Sequence, residues 1–195
     1  MTDKGRRLRG HVCIEQLLKV KMKISLIMLV KNSILLSNSN IKNKHGWMAG
    51  QKKLPRSVDA IDKIYVPIGL GSGICGTIFT RNVLNLKTKI IGVVPKGANA
   101  YYLSYRNKNL TNINKVNTFA EGTAIRMPSN ESLSIMLKNL HDVVQISELD
   151  IKKSIKRIFD DTSNIAEGSG ALSYAAAYKD RFKNKNLNVA IILTG

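Results

Sequence analysis

Gly69-Leu70-Gly71-Ser72-Gly73-Ile74-Cys75-Gly76, written GLGSGICG, directly follows the apolar run YVPI (65–68). Glycines at this density let a backbone turn sharply and let a ligand come close to it. From Gly71 the stretch spells G-x-G-x-x-G, the form of a dinucleotide-binding turn. That reading needs a strand, the turn, a helix, and a second strand ending in Asp or Glu roughly 20 residues further on. The first three parts are present, with the helix expected over 74–84. The fourth is missing: KIIGVVP (89–95) ends in Val93-Val94-Pro95, and no carboxylate lies between Asp62 and Glu121. A Walker loop fails as well, because Gly76 is followed by Thr77 instead of lysine. A bare structural turn accounts for one or two glycines, but less well for Gly69, Gly71 and Gly73 at alternate positions with a serine among them. What remains is a phosphate cradle, in which backbone N–H groups of the turn and of the helix N-terminus bind an anion and the Ser72 hydroxyl assists.

Outward from this loop the pattern is regular. IDKIYVPI (61–68), KIIGVVP (89–95), DVVQI (142–146) and NVAIILT (188–194) read as buried strands, rich in β-branched residues. Between them lie helical stretches at 98–105, at 131–140 and from Ser147-Glu148-Leu149-Asp150, a capping-box form, to about 159. The small-residue run 168–182 suits a tightly packed helix. Near-continuous apolar strands alternating with helices predict an α/β fold: three layers, α/β/α, around a mostly parallel sheet. One short strand or helix is expected around 21–36.

Composition narrows the function. The chain has 195 residues and a formal net charge of +18. Residues 1–58 carry thirteen Lys/Arg against two acids, so the excess is concentrated there. No aromatic-basic interleaving accompanies it, which argues against nucleic acid as a partner. The longest apolar run, ISLIMLV (24–30), is far shorter than the roughly 20 residues that span a bilayer. Cys13 and Cys75 lie far apart, and the three histidines are scattered, so neither a disulfide framework nor a metal site is expected. A reducing cytoplasm is the expected compartment.

VPIGLGSGICG, KIIGVVPKGANAYYLS, NTFAEGTAIRMP, DDTSNIAEGSGALSYAAA and VAIILTG occur in that order. Together they resemble the C-terminal part of a pyridoxal-phosphate-dependent threonine/serine dehydratase. This is the tryptophan-synthase-β-like, fold-type-II superfamily, and the likeness extends to its hydroxyectoine-utilisation branch. The resemblance covers 52–195, and residues 1–51 form a basic segment unlike the family. It implies a phosphate-holding loop at Gly69, Leu70, Gly71, Ser72 and Gly73, with Leu70 where many relatives have glycine. It implies that Thr194 hydrogen-bonds the cofactor's pyridine nitrogen, that Glu167 lies near the ring, and that Glu121-Gly122 forms a turn beside it. A divalent-cation site of some relatives has Val94 and Ala100 at its carboxylate positions, so no metal is expected. The implied reaction is β-elimination from a small hydroxy amino acid, with pyridoxal 5'-phosphate as electron sink, giving a 2-oxo acid and ammonia. A homo-oligomer stays open. The family's S-F-K-x-R-G-A-like motif, whose lysine bonds the cofactor and acts as base, is not found, nor is its S-x-G-N-H-like loop. No catalytic residue is therefore assigned, and the chain is expected to be a truncated copy, inactive alone. The alternative is a basic accessory protein that binds anions or nucleic acid.

Overall fold

The computed structural model describes residues 23–30, 33–37 and 61–194. Most of the basic segment 1–51 lies outside these residues, as does Gly195. The elements run β1 (Lys23–Val30), β2 (Ser33–Ser37), β3 (Lys63–Pro67), α1 (Ser72–Val83), β4 (Lys89–Pro95), α2 (Ala100–Asn107) and α3 (Asn130–Asn139). They continue with β5 (Asp142–Ile146), α4 (Glu148–Thr162), α5 (Gly168–Lys179) and β6 (Asn188–Leu193). Among the described residues the strands form one six-stranded sheet in the order β2-β1-β6-β3-β4-β5. Only the β1–β2 pair is antiparallel.

The strands alternate their side chains between two cores, as a pleated sheet covered on both faces must. Tyr65, Ile91, Val93, Val189 and Ile191 face one core, which α4 and α5 close. Ile64, Val66, Ile90, Val94, Ala190 and Ile192 face the other, closed by α1, α2 and α3. The three layers expected from the sequence are thus present. Register keeps the faces matched, since Tyr65 sits beside Ile91 on β4 and Ile191 on β6.

The helix that lies closest to the sheet is α5. All its residues from Gly168 to Ala177 are buried. Its small side chains bring the backbone close to β6, so that a Cβ on Gly170 would collide with the Thr194 carbonyl. The amphipathic α4 then covers α5 from outside. Ser147 caps α4, its hydroxyl accepting from the Asp150 N–H at 3.2 Å.

The path of the chain defines a crevice. From β3 it winds through α1 to β4, and through α2 and α3 to β5, with helices on one face. It then crosses to the other face through α4 and α5 and returns to β6, on the opposite side of β3. The carboxyl ends of β3 and β6 therefore flank a topological switch point. Ligands of open α/β sheets bind in such crevices.

Candidate functional site

The glycine loop leaves β3 at this switch point and opens α1. Gly71 has φ 112° and is the residue before the helix, a conformation that glycine adopts without strain. No side chain caps α1 and its first turn has no acid. The Cys75 N–H bonds the Gly71 carbonyl at 2.9 Å, while the N–H groups of Ser72, Gly73 and Ile74 have no acceptor among the described residues. Ser72 and Gly73 are exposed, and a Cβ on Gly73 would meet nothing within 4 Å. The unpaired N–H groups of Ser72 and Gly73, at the positive end of a 12-residue helix, lie on exposed residues and suit an anion, while Ile74 is buried behind them.

The carbonyl of Leu70 fixes the loop. It accepts from the Tyr101 hydroxyl at 2.7 Å and from Ser132 Oγ at 3.1 Å. Tyr101 Oη in turn accepts from the Ser129 N–H at 3.0 Å. Tyr101 is 1 % exposed, and burial raises its pKa above the ordinary phenol value, so it remains a donor. With its carbonyl turned inward, Leu70 presents its side chain outward, 67 % exposed.

Three further segments follow one another by close contact, the first of them against the loop. A Cβ on Gly69 would lie 2.6 Å from the Gly122 carbonyl oxygen. A Cβ on Gly122 would lie 3.0 Å from Ser169 Oγ and 3.9 Å from Glu167 Oε1. Gly170, one residue beyond Ser169, abuts the carbonyl of Thr194. Gly69, Gly122, Glu167 and Thr194, spread over 126 positions of sequence, therefore lie around one crevice. Glu167 precedes α5, where its charge is favourable to the helix dipole, and makes no side-chain cap bond.

Gly69, Leu70, Gly71, Ser72 and Gly73 follow the carboxyl end of β3, Thr194 follows that of β6, and Glu167 precedes α5. Three others were not anticipated. Tyr101 and Ser132 brace the loop through a backbone carbonyl, which leaves no mark in a sequence. Ser169 is buried with its hydroxyl unpartnered, beside Gly122. Its place in the EGSG run was the one available signal. Val94 and Ala100 are buried, Val94 within the core that α1, α2 and α3 close. Among the described residues no three His, Cys, Asp or Glu side chains gather as a metal site.

A family model described as pyridoxal-phosphate dependent enzyme matches residues 23–195. The chain belongs to this family. The match begins at residue 23, inside the segment left unassigned from the sequence. Threonine dehydratase 2 of Solanum lycopersicum is 31 % identical over 145 residues, 73 % of this chain and 24 % of the relative. The mitochondrial threonine dehydratase of Schizosaccharomyces pombe is 34 % identical over 139 residues, 69 % of this chain and 23 % of the relative. The solved processed form of threonine deaminase isoform 2 from Solanum lycopersicum superposes with a TM-score of 0.66 at 32 % identity, covering 72 % of this chain and 41 % of that one. The chain thus spans about a quarter of the curated relatives and two fifths of the solved one. Its glycine loop fits the cofactor phosphate that the family name implies, because the uncapped α1 N-terminus and the open side of Gly73 leave room for a tetrahedral anion.

Proposed function

We propose that this chain is the phosphate-holding C-terminal part of a threonine/serine dehydratase-like enzyme, with the family match running over 23–195. The observation that supports this most is the glycine loop that opens the uncapped α1 and touches Gly122, from which Glu167 and Ser169, then Gly170 and Thr194, follow by close contact at one switch point. Pyridoxal phosphate, when bound, supplies an electron sink for loss of water from a small hydroxy amino acid, which yields a 2-oxo acid and ammonia.

The chain's own residues do the holding. The N–H groups of Ser72 and Gly73 bind the phosphate, and Ser72 Oγ adds a donor. Gly71 lets the backbone turn towards it. Thr194 offers a neutral hydroxyl to the pyridine nitrogen, so that nitrogen is not held protonated as a carboxylate would hold it. Glu167 places one carboxylate beside Gly122. Among the described residues no lysine is in hydrogen-bond contact with these groups; Lys63 and Lys156 bond elsewhere. No lysine that could remove the α-proton is therefore assigned among the described residues, and the proposal is that the 195-residue chain binds the cofactor without turnover. A reducing compartment, the cytoplasm, suits two separate cysteines.

Borohydride reduction of the purified chain with pyridoxal phosphate, followed by peptide mapping, tests this. No single lysine is labelled stoichiometrically, and serine and threonine give no pyruvate or 2-oxobutyrate. One stoichiometric lysine together with 2-oxo acid formation overturns the assignment of inactivity.

A further inference from the structure

We propose that the cleft at the amino ends of the parallel strands is a second anion site, one that takes small phosphorylated molecules and is separate from the glycine loop. The cleft has a volume of about 400 Å³, within the range of small-molecule sites, roughly 300–1,000 Å³. Asp62 and Lys63 reach it from the start of β3, Lys87 and Lys89 from the start of β4, His141 from just before β5, and Lys183 from the connection between α5 and β6. The glycine loop leaves the other ends of the same strands. Seven residues of β4 at about 3.3 Å each put the two sites about 20 Å apart.

Charge gives the cleft its ligand class. Four lysines line it and a single carboxylate, Asp62, which already accepts from the Asn188 N–H at 2.7 Å. Asp180 offsets Lys183 at 3.5 Å. Among the described residues no ion pair reaches Lys63, Lys87 or Lys89. Lys63 is half-buried and held in place, donating to Asn184 Oδ1 at 2.8 Å. Burial lowers its pKa, Asp180 opposes that, and Lys89 and Lys183 lower it further. These ammonium groups repel one another across a concave surface, and an anion seated among them relieves the repulsion.

The shape excludes a long polyanion. The lysines converge on a cavity instead of tracking along a face, and no Phe, Tyr or Trp lines it to stack a base. Leu86 and Leu187 wall part of it, which leaves room for the organic portion of a phosphorylated small molecule.

Inorganic pyrophosphate, titrated into the whole chain at moderate salt, is the probe, and the ring-proton NMR signals of His141 are the reporter. A saturable shift of those signals is expected. The exposed pair Lys89→Gln/Lys183→Gln weakens binding at least tenfold, and Lys87→Gln on the other rim weakens it separately. Ser72→Glu, which sets a carboxylate at the glycine loop, leaves the His141 shift within twofold. Failure of the dehydratase reading would appear only at the loop and leave this result standing. The proposal is overturned if no saturable shift occurs, if the lysine variants bind as the parent does, or if single-stranded oligonucleotide binds where pyrophosphate does not.

Discussion

Gly71 carries the loop's geometry, and its neighbour Gly73 provides the control. At φ 112° an alanine is strained by about 1–2 kcal/mol. Its Cβ would also lie 2.6 Å from Ser132 Cβ, so Gly71→Ala is expected to lose about 2 kcal/mol or more in urea denaturation. Gly73→Ala adds a methyl to open space inside a helix, and is expected to leave stability unchanged or raise it by up to about 1 kcal/mol. Similar losses for the two variants would contradict this geometry. Tyr101→Phe removes the donor to Leu70 and the acceptor for Ser129, with an expected loss of about 1–3 kcal/mol, moderated because Ser132 still holds Leu70. Burial raises the pKa of Tyr65 and, less strongly, of Tyr101. The native state therefore keeps these protons longer than the unfolded chain. The stability they contribute is complete below the ordinary phenol pKa, near 10, and declines as pH rises towards the folded values. Denaturation midpoints measured at pH 9 and pH 11 should show that fall, and a flat profile would contradict it.

Among the elements, β4 and β5 were readable from sequence to their end residues, because each is a short β-branched run bounded by polar residues or a turn. Helix α1 begins at Ser72, two residues before the expected Ile74, since Gly71 in the left-handed region allows the helix to start inside the glycine run. The last helix stops at Lys179, short of the expected 182. The turn beyond it puts buried Asn184 under the Tyr65 hydroxyl, at 3.0 Å, a long-range contact that local pattern does not announce. The Ser129 cap of α3 also escaped notice, although its hydroxyl accepts from the Ser132 N–H at 3.3 Å. Ser147→Ala should cost about 1 kcal/mol through loss of the α4 cap. Gly170→Ala should cost more, because its methyl would wedge α5 away from the Thr194 backbone. Proteolysis of the β6 end should quicken in that variant alone.

The architecture of the whole molecule follows from strand order, which a single sequence does not encode locally. The alternation of buried strands and helices predicted three layers, and those layers are there. That β6 lies beside β3, opposite β4, is what creates the switch point and brings Thr194 to the glycine loop's end of the sheet. Ordered motifs offered Gly69–Gly73, Glu167 and Thr194 as candidates, whereas the braces Tyr101 and Ser132 emerge only from packing. We propose that this end of the sheet recognises the phosphate of pyridoxal phosphate without covalent help. Titration of the 195-residue chain with pyridoxal phosphate and, in parallel, with pyridoxal tests this, read by cofactor fluorescence in the Lys89→Gln/Lys183→Gln background, which weakens the lysine-lined cleft at the amino ends of the strands. Saturable binding of pyridoxal phosphate at least tenfold tighter than pyridoxal is expected, abolished by Ser72→Glu. Equal binding of the two compounds, or binding indifferent to Ser72→Glu, would contradict it.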